Sequence, residues 1–221
     1  GVNLDVEVDQ LRSIFDEVGI AFLFANKMHP SMRFAAPVRR ALGFPTAFNV
    51  LGPLTNPAKV QACAIGAAKE ENARLMAGVY ASRGLSALVF RGATTGLDEL
   101  TTTDTNQVWI VNGGHVSEVA FDARDALGMA SAAIEDLAGG EAVENAAVAR
   151  EVLSGGGADA VRDAVALNVG AGILAWEGLD NPVGPADFEE RMRVAVDRGL
   201  AALADGVGAR LVKRWVAASN A

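Results

Sequence analysis

The spacing of apolar residues changes from segment to segment along this chain, and each change marks an element. Val8, Leu11, Ile14, Phe15 and Val18 recur at three- and four-residue intervals, one face of a helix, and Gly19 is placed to stop it. Residues 20–25, IAFLFA, form instead a short unbroken apolar run, the pattern of a strand buried on both faces. Residues 60–67 repeat that pattern. An amphipathic helix follows over about 69–83, with Leu75, Met76, Val79 and Tyr80 on one face and Gly84 as its stop; 85–90, LSALVF, is a third buried strand. Strand, helix and strand in that order predict a parallel pair joined by a right-handed crossover.

Beyond Phe90 the pattern becomes polar, with a Gly- and Thr-rich loop over 91–105. Residues 107–111 and 116–121 flank Asn112-Gly113-Gly114, a hairpin signal. A connection over 134–140 then leads to four predicted helices, at 141–153, about 159–176, 187–204 and 207–218, the last with Leu211, Val212, Trp215 and Val216 on one side. No internal repeat or low-complexity tract interrupts the order. One stretch stands apart: residues 29–57 are rich in proline and carry His29, Arg33, Arg39 and Arg40. Restricted backbone of this kind predicts a fixed shape, and one wall of a site is expected there.

Composition narrows the picture. The 221 residues are 51% hydrophobic with few aromatics, which suits helices packed on a sheet, and they suffice to bury roughly 70% of the unfolded surface. A formal charge of −8 and an isoelectric point near 4.8 disfavour a nucleic-acid or anionic-membrane surface. The single cysteine, Cys63, excludes a disulfide framework and a cysteine zinc site, and makes a cytoplasmic location the expectation. No apolar run is long enough to span a bilayer. The sequence opens on Gly1 rather than Met, the form expected of a processed or truncated product.

Three places can carry chemistry. Asp98 and Glu99 stand in the loop beyond the third predicted strand, where open α/β sheets collect ligands, and two adjacent carboxylates suit Mg²⁺ bound to a phosphorylated substrate. The same residues also fit a solvated acidic loop with Asp98 capping a turn. In 29–57, Ser31 can cap a helix carrying Arg33, Arg39 and Arg40, which Pro37 must kink or restart, and an arginine held so can take a carboxylate with two hydrogen bonds. Solvated arginines on a surface helix, with His29 in a turn, are the alternative. Ser154-Gly155-Gly156-Gly157 precedes a helix as a phosphate cradle would, but it lacks the Lys-Ser/Thr of a P-loop and fits a helix-to-helix turn. His115 has no partner by spacing and is expected at the surface.

Taken together, His29-Pro30-Ser31-Met32-Arg33, Pro37-Val38-Arg39, the run FNVLGPLTNP at 48–57, Gly96-Leu97-Asp98-Glu99 and RDAVALN at 162–168 resemble the anthranilate phosphoribosyltransferase family, in order and over essentially the whole chain. The resemblance covers the C-terminal two-thirds of the family's length. It implies an α/β fold with a central mixed, mainly parallel sheet flanked by helices, of the nucleoside phosphorylase/phosphoribosyltransferase-like kind, with a remnant of a small helical domain. The implied division is an α/β domain at 1–28 and 56–221, with 29–55 belonging to the small domain and hinge. The implied reaction joins anthranilate to phosphoribosyl pyrophosphate in tryptophan biosynthesis, in a homodimer. By position, Asp98 and Glu99 match the pair that holds Mg²⁺, Arg39 matches the arginine on the anthranilate carboxylate, and His29, Met32 and Gly52 match positions lining the anthranilate channel.

The family's GTGGD loop and KHGNR-type segment occur nowhere in these residues, so the chain alone is expected to be inactive. Without the rest of the small domain, Phe34, Leu42, Phe44 and Phe48 are expected to expose apolar surface or to be covered by a neighbour. A pyrimidine nucleoside phosphorylase of the same fold, and a non-catalytic nucleic-acid-binding relative, are the alternatives. The arginines and the NVLGPLTNP run speak against the first, and the acidic balance against the second.

Overall fold

The computed structural model describes residues 1–43, 46 and 48–221; for Asn26, Met32, Arg33, Ala36, Arg39, Phe48 and Asn49 it describes the helix they belong to and not the side chain. The first elements are helices α1 (Val8–Val18), α2 (Ala25–Met28), α3 (Met32–Leu42) and α4 (Phe48–Leu54). Then come strand β1 (Ala62–Gly66), helix α5 (Glu70–Ser82) and strands β2 (Ser86–Gly92), β3 (Asn106–Asn112) and β4 (His115–Phe121). Helix α6 (Ala123–Leu127) and a 3-10 turn (Ile134–Leu137) lead to α7 (Ala142–Leu153), α8 (Asp159–Glu177), α9 (Phe188–Ala204) and α10 (Val207–Ser219). These form two compact units, one of residues 58–205 and one of residues 1–57 with 206–221.

Residues 58–205 hold a four-stranded mixed sheet in the order β1-β2-β3-β4. β1 and β2 pair in parallel, Ala62 opposite Ser86 through Gly66 opposite Phe90, and the other two pairings are antiparallel. β2 is buried almost throughout because helices cover both of its faces, which explains its unbroken apolar run. Side chains alternate across a strand. Leu88, Phe90, Val108 and Ile110 join the α8 and α9 cluster that includes Leu167, Leu174, Phe188 and Met192. Trp109, on the opposite face, lies under the α5 residue Arg74, whose guanidinium carbon stands 5.5 Å from the ring centre. Phe121 meets Phe188 edge to face at 5.4 Å. The β3–β4 hairpin turns through Gly113 and Gly114, both at positive φ, as a two-residue turn that follows strand twist requires.

In the other unit, Leu11, Ile14 and Val18 of α1 and the preceding Val6 bury one face, with Leu211, Trp215 and Ala218 of α10 packed against it. The ends of the chain meet here: the Asn3 amide donates to Ser219 Oγ at 3.0 Å, and Asn220 Nδ2 donates to the Gly1 carbonyl at 3.1 Å. α1 closes at Gly19, whose N–H returns to the Phe15 carbonyl. α3 runs on through Pro37 without a restart.

One expected element is corrected. Residues 20–24 are not a strand and have no ladder partner among the described residues, and at Ala25 the chain enters α2. A strand buried on both faces needs neighbours for its backbone hydrogen bonds. Here Ile20, Ala21 and Leu23 pack toward α1 and α10, while Phe22 and Phe24 face outward and stack on each other at 6.4 Å. Among the described residues no helix is long and apolar enough to cross a membrane.

Candidate functional site

The loop between β2 and β3 leaves the sheet at the carboxyl end of the parallel pair. Its entry is tied down first: the Gly92 amide donates to the Leu97 carbonyl at 2.8 Å, and the Thr94 and Thr95 amides both donate to Asp104 Oδ2 at 2.8 Å. Arg91 anchors the same turn, donating to Gln107 Oε1 at 2.6 Å and to the carbonyls of Ala68 and Ala93. Asp98 and Glu99 follow with exposed side chains, and Leu100, Thr101 and Thr102 follow them into the core. The acidic pair therefore stands where the chain dives from solvent into packed structure.

Its surroundings are asymmetric. A cavity of about 620 Å³ is lined by Glu99 and Thr101, by Leu137 of the 3-10 turn, and by Val161, Val165 and Asn168 of α8, most of it apolar. Loss of hydration beside this wall raises the Glu99 carboxyl above its ordinary proton affinity, with the charge of Asp98 and a hydrogen bond to it adding in the same direction. Two carboxylates that crowd each other in this way suit a divalent cation, which relieves their repulsion. No group of three or more His, Cys, Asp or Glu side chains able to hold a metal occurs among the described residues. The adjacent carboxylates that this loop offers are two, which fits Mg²⁺ completing its oxygen shell from water and phosphate.

The remaining predicted site residues lie in the unit of residues 1–57 with 206–221. His29 follows α2 and returns its N–H to the Ala25 carbonyl at 2.9 Å. Gly52 sits in α4, where a Cβ would meet nothing within 4 Å among the described residues. Met32 and Arg39 belong to α3, and their side chains lie outside the described residues.

The glycine-rich run resolves to a turn. Ser154 Oγ donates to the Arg150 carbonyl, and the amides of Ser154, Gly155 and Gly156 return to carbonyls of α7. Those N–H groups are spent on closing the helix, so none of the three is free to cradle a phosphate.

Sequence reasoning assigned no role to the residues that hold the acidic loop: Gly66 at the end of β1, Asn106 at the start of β3, and Asn168 inside α8, which it noted only as the close of the RDAVALN run. A faint signal existed, since asparagine is a poor former of helix interiors and of strands and usually sits there for its side-chain hydrogen bonds.

The family model described as "Glycosyl transferase family, a/b domain" matches residues 1–207. The anthranilate phosphoribosyltransferase of Arthrobacter sp. (strain FB24) is 48% identical over 217 residues, which are 98% of this chain and 60% of that protein. That of Nocardioides sp. (strain ATCC BAA-499 / JS614) is 48% identical over 219 residues, 99% of this chain and 62% of that protein. The chain thus spans about three-fifths of the length of these relatives. The crystal structure of anthranilate phosphoribosyltransferase from Thermus thermophilus matches all of this chain and 62% of its own, with a TM-score of 0.87 and 36% identity. The Saccharomyces cerevisiae enzyme in complex with PRPP and Mg matches with a TM-score of 0.82 at 22% identity, covering 97% of this chain and 58% of its own, a likeness of fold.

Proposed function

The chain belongs to the glycosyl transferase family, a/b domain, and from that premise we propose that it is the C-terminal portion of an anthranilate phosphoribosyltransferase, a cytoplasmic homodimer acting in tryptophan biosynthesis. The observation that carries the reading is the acidic pair: Asp98 and Glu99 stand exposed beyond the carboxyl end of β2, against the end of its parallel neighbour β1. That is where α/β sheets take phosphorylated ligands. The high identity to relatives of that activity supports it. No observation favours the nucleoside phosphorylase or nucleic-acid readings.

In the proposed reaction the anthranilate amine attacks the anomeric carbon of phosphoribosyl pyrophosphate, a C–N bond forms, the bond to the pyrophosphate oxygen breaks, and the amine gives up one proton to water or to the departing pyrophosphate. Asp98 and Glu99 would hold Mg²⁺, which supplies charge neutralisation for the departing pyrophosphate. Their part is to fix the diphosphate in place. Arg39 would take the anthranilate carboxylate with a two-pronged hydrogen bond, and His29, Met32 and Gly52 would line the path of the aromatic ring. No general base is assigned, because an aromatic amine facing a good leaving group needs little proton help. Residues 29–55 belong, in this reading, to the small domain and hinge.

The test replaces the matching part of the Arthrobacter enzyme by these 221 residues and follows loss of anthranilate fluorescence with phosphoribosyl pyrophosphate and Mg²⁺. Turnover by the chimera and none by the chain alone is the expected result. A chimera that folds by circular dichroism but does not turn over overturns the reading.

A further inference from the structure

Resting on the reading of Asp98 and Glu99 as the cation-binding pair, we propose that Gly66, Asn106 and Asn168 are positioning residues that immobilise the backbone of residues 98–101, so that two carboxylates suffice to meet one divalent cation. The three come from different elements, β1, β3 and α8, and reach three successive points of one short segment.

At Leu100 the backbone is held on both sides. Its N–H donates to Asn168 Oδ1 at 3.2 Å, and its carbonyl accepts from Asn168 Nδ2 at 2.9 Å. Asn168 is itself locked, because Nδ2 also donates to the Ala164 carbonyl one turn earlier at 2.8 Å. Thr101 repeats the arrangement one residue on: its N–H donates to Asn106 Oδ1 at 3.1 Å and its carbonyl accepts from Asn106 Nδ2 at 2.9 Å. Asn106 Nδ2 is shared with the Phe121 carbonyl at 3.2 Å, which ties it to β4. A primary amide offers an acceptor oxygen and two N–H donors in one plane, so each asparagine meets a peptide N–H and C=O as the edge of a neighbouring strand would and keeps its second donor for another carbonyl.

The third restraint is steric. A Cβ on Gly66 would overlap the carbonyl of Asp98, so the end of β1 presses directly on the backbone of the first acidic residue. Between the contact at 98 and the two clamps at 100 and 101, Glu99 has little freedom left. A free loop loses its backbone entropy at the moment a ligand binds; a clamped one has lost it on folding. This matters most where the acidic donors are few, and the described residues of this segment supply two.

The experiment uses the 221-residue chain with Mn²⁺ and inorganic pyrophosphate as probe, free Mn²⁺ being read by electron paramagnetic resonance, beside amide hydrogen exchange and the thermal midpoint. Asn168→Leu is close in size and a better helix former, so it removes both bonds to Leu100 while keeping α8. The expected result is faster exchange at the Leu100 and Thr101 amides and about tenfold or greater loss of Mn²⁺–pyrophosphate affinity, out of proportion to any change in midpoint. Gly66→Ala is expected to weaken the same affinity. Asp98→Asn separates the two readings. If it abolishes binding while Asn168→Leu binds as the parent chain does, the positioning role is overturned and the acidic pair stands. If the unsubstituted chain binds no Mn²⁺–pyrophosphate, the same titration is made on the Arthrobacter chimera that carries these residues, and failure to bind there overturns the pair's role; unchanged Leu100 exchange in Asn168→Leu overturns the positioning role in either protein.

Discussion

Residues 58–205 and the unit of residues 1–57 with 206–221 differ in how far each buries its own apolar positions. Among the described residues, the first contains every one of the largest fully buried side chains, including Trp109, Phe121 and Phe188. The second buries Val6, Leu11, Ile14 and Val18 but leaves Phe15 at 52%, Phe34 at 70%, Val38 at 59% and Leu42 at 45% exposure. Phe34 and Leu42 expose apolar surface in the single chain, while Phe44 and the side chain of Phe48 lie outside the described residues. The difference lies in layering. A sheet with helices on both faces encloses two cores, whereas helices that meet along one seam bury one stripe each. Surface-to-volume scaling sharpens this in the smaller unit.

The comparison can be broken by truncation. Trp109→Ala is expected to lower the urea stability of residues 58–205 by about 3–5 kcal/mol, since the site cannot collapse around so large a loss. Ile14→Ala is expected to cost less, at the lower end of roughly 2–5 kcal/mol, because the α1–α10 seam is bounded by exposed surface that can relax. Equal losses in the two variants would sink the contrast. A smaller effect comes from Asp122, which the Arg124 guanidinium and the Arg124 amide in the first turn of α6 hold down at about 2. A carboxyl depressed below its unfolded value of about 3.9 contributes stability above that pH and loses it as pH falls through about 2. Asp122→Asn is therefore expected to flatten the acid limb of the stability curve between about pH 4 and pH 2, by less than either truncation costs. Smallest of all, Val38→Ser should leave the unfolding free energy in urea within about 0.5 kcal/mol of the parent while reducing binding of an apolar dye; an unchanged dye signal would show that this face is covered.

Much of the fold was legible because it is local. The helix from Val8 to Val18, the strand–helix–strand of β1, α5 and β2, and the hairpin at Gly113-Gly114 each announce themselves in a window of a dozen residues. The position of Asp98 and Glu99 beyond a buried strand was legible for the same reason. Residues 20–25 misled because an apolar run records the wish to be buried and says nothing about a hydrogen-bonding neighbour. The clamps were illegible for a related reason: Asn168 lies 68 positions from Leu100, and asparagine serves turns, caps and surfaces as readily as it grips a loop.

By itself, then, the order of residues determined what depends on short range: the period of each element, the turn at each glycine pair, and the presence of two adjacent carboxylates in the β2–β3 loop. Tertiary structure decided what depends on partners distant in sequence. It left 20–24 without a ladder, spent the amides of Ser154, Gly155 and Gly156 on the end of α7, and brought Gly66, Asn106 and Asn168 to one short stretch of backbone. The physical reason is that periodicity is a property of neighbours along the chain, while burial and the satisfaction of a donor are settled only when remote segments close on each other.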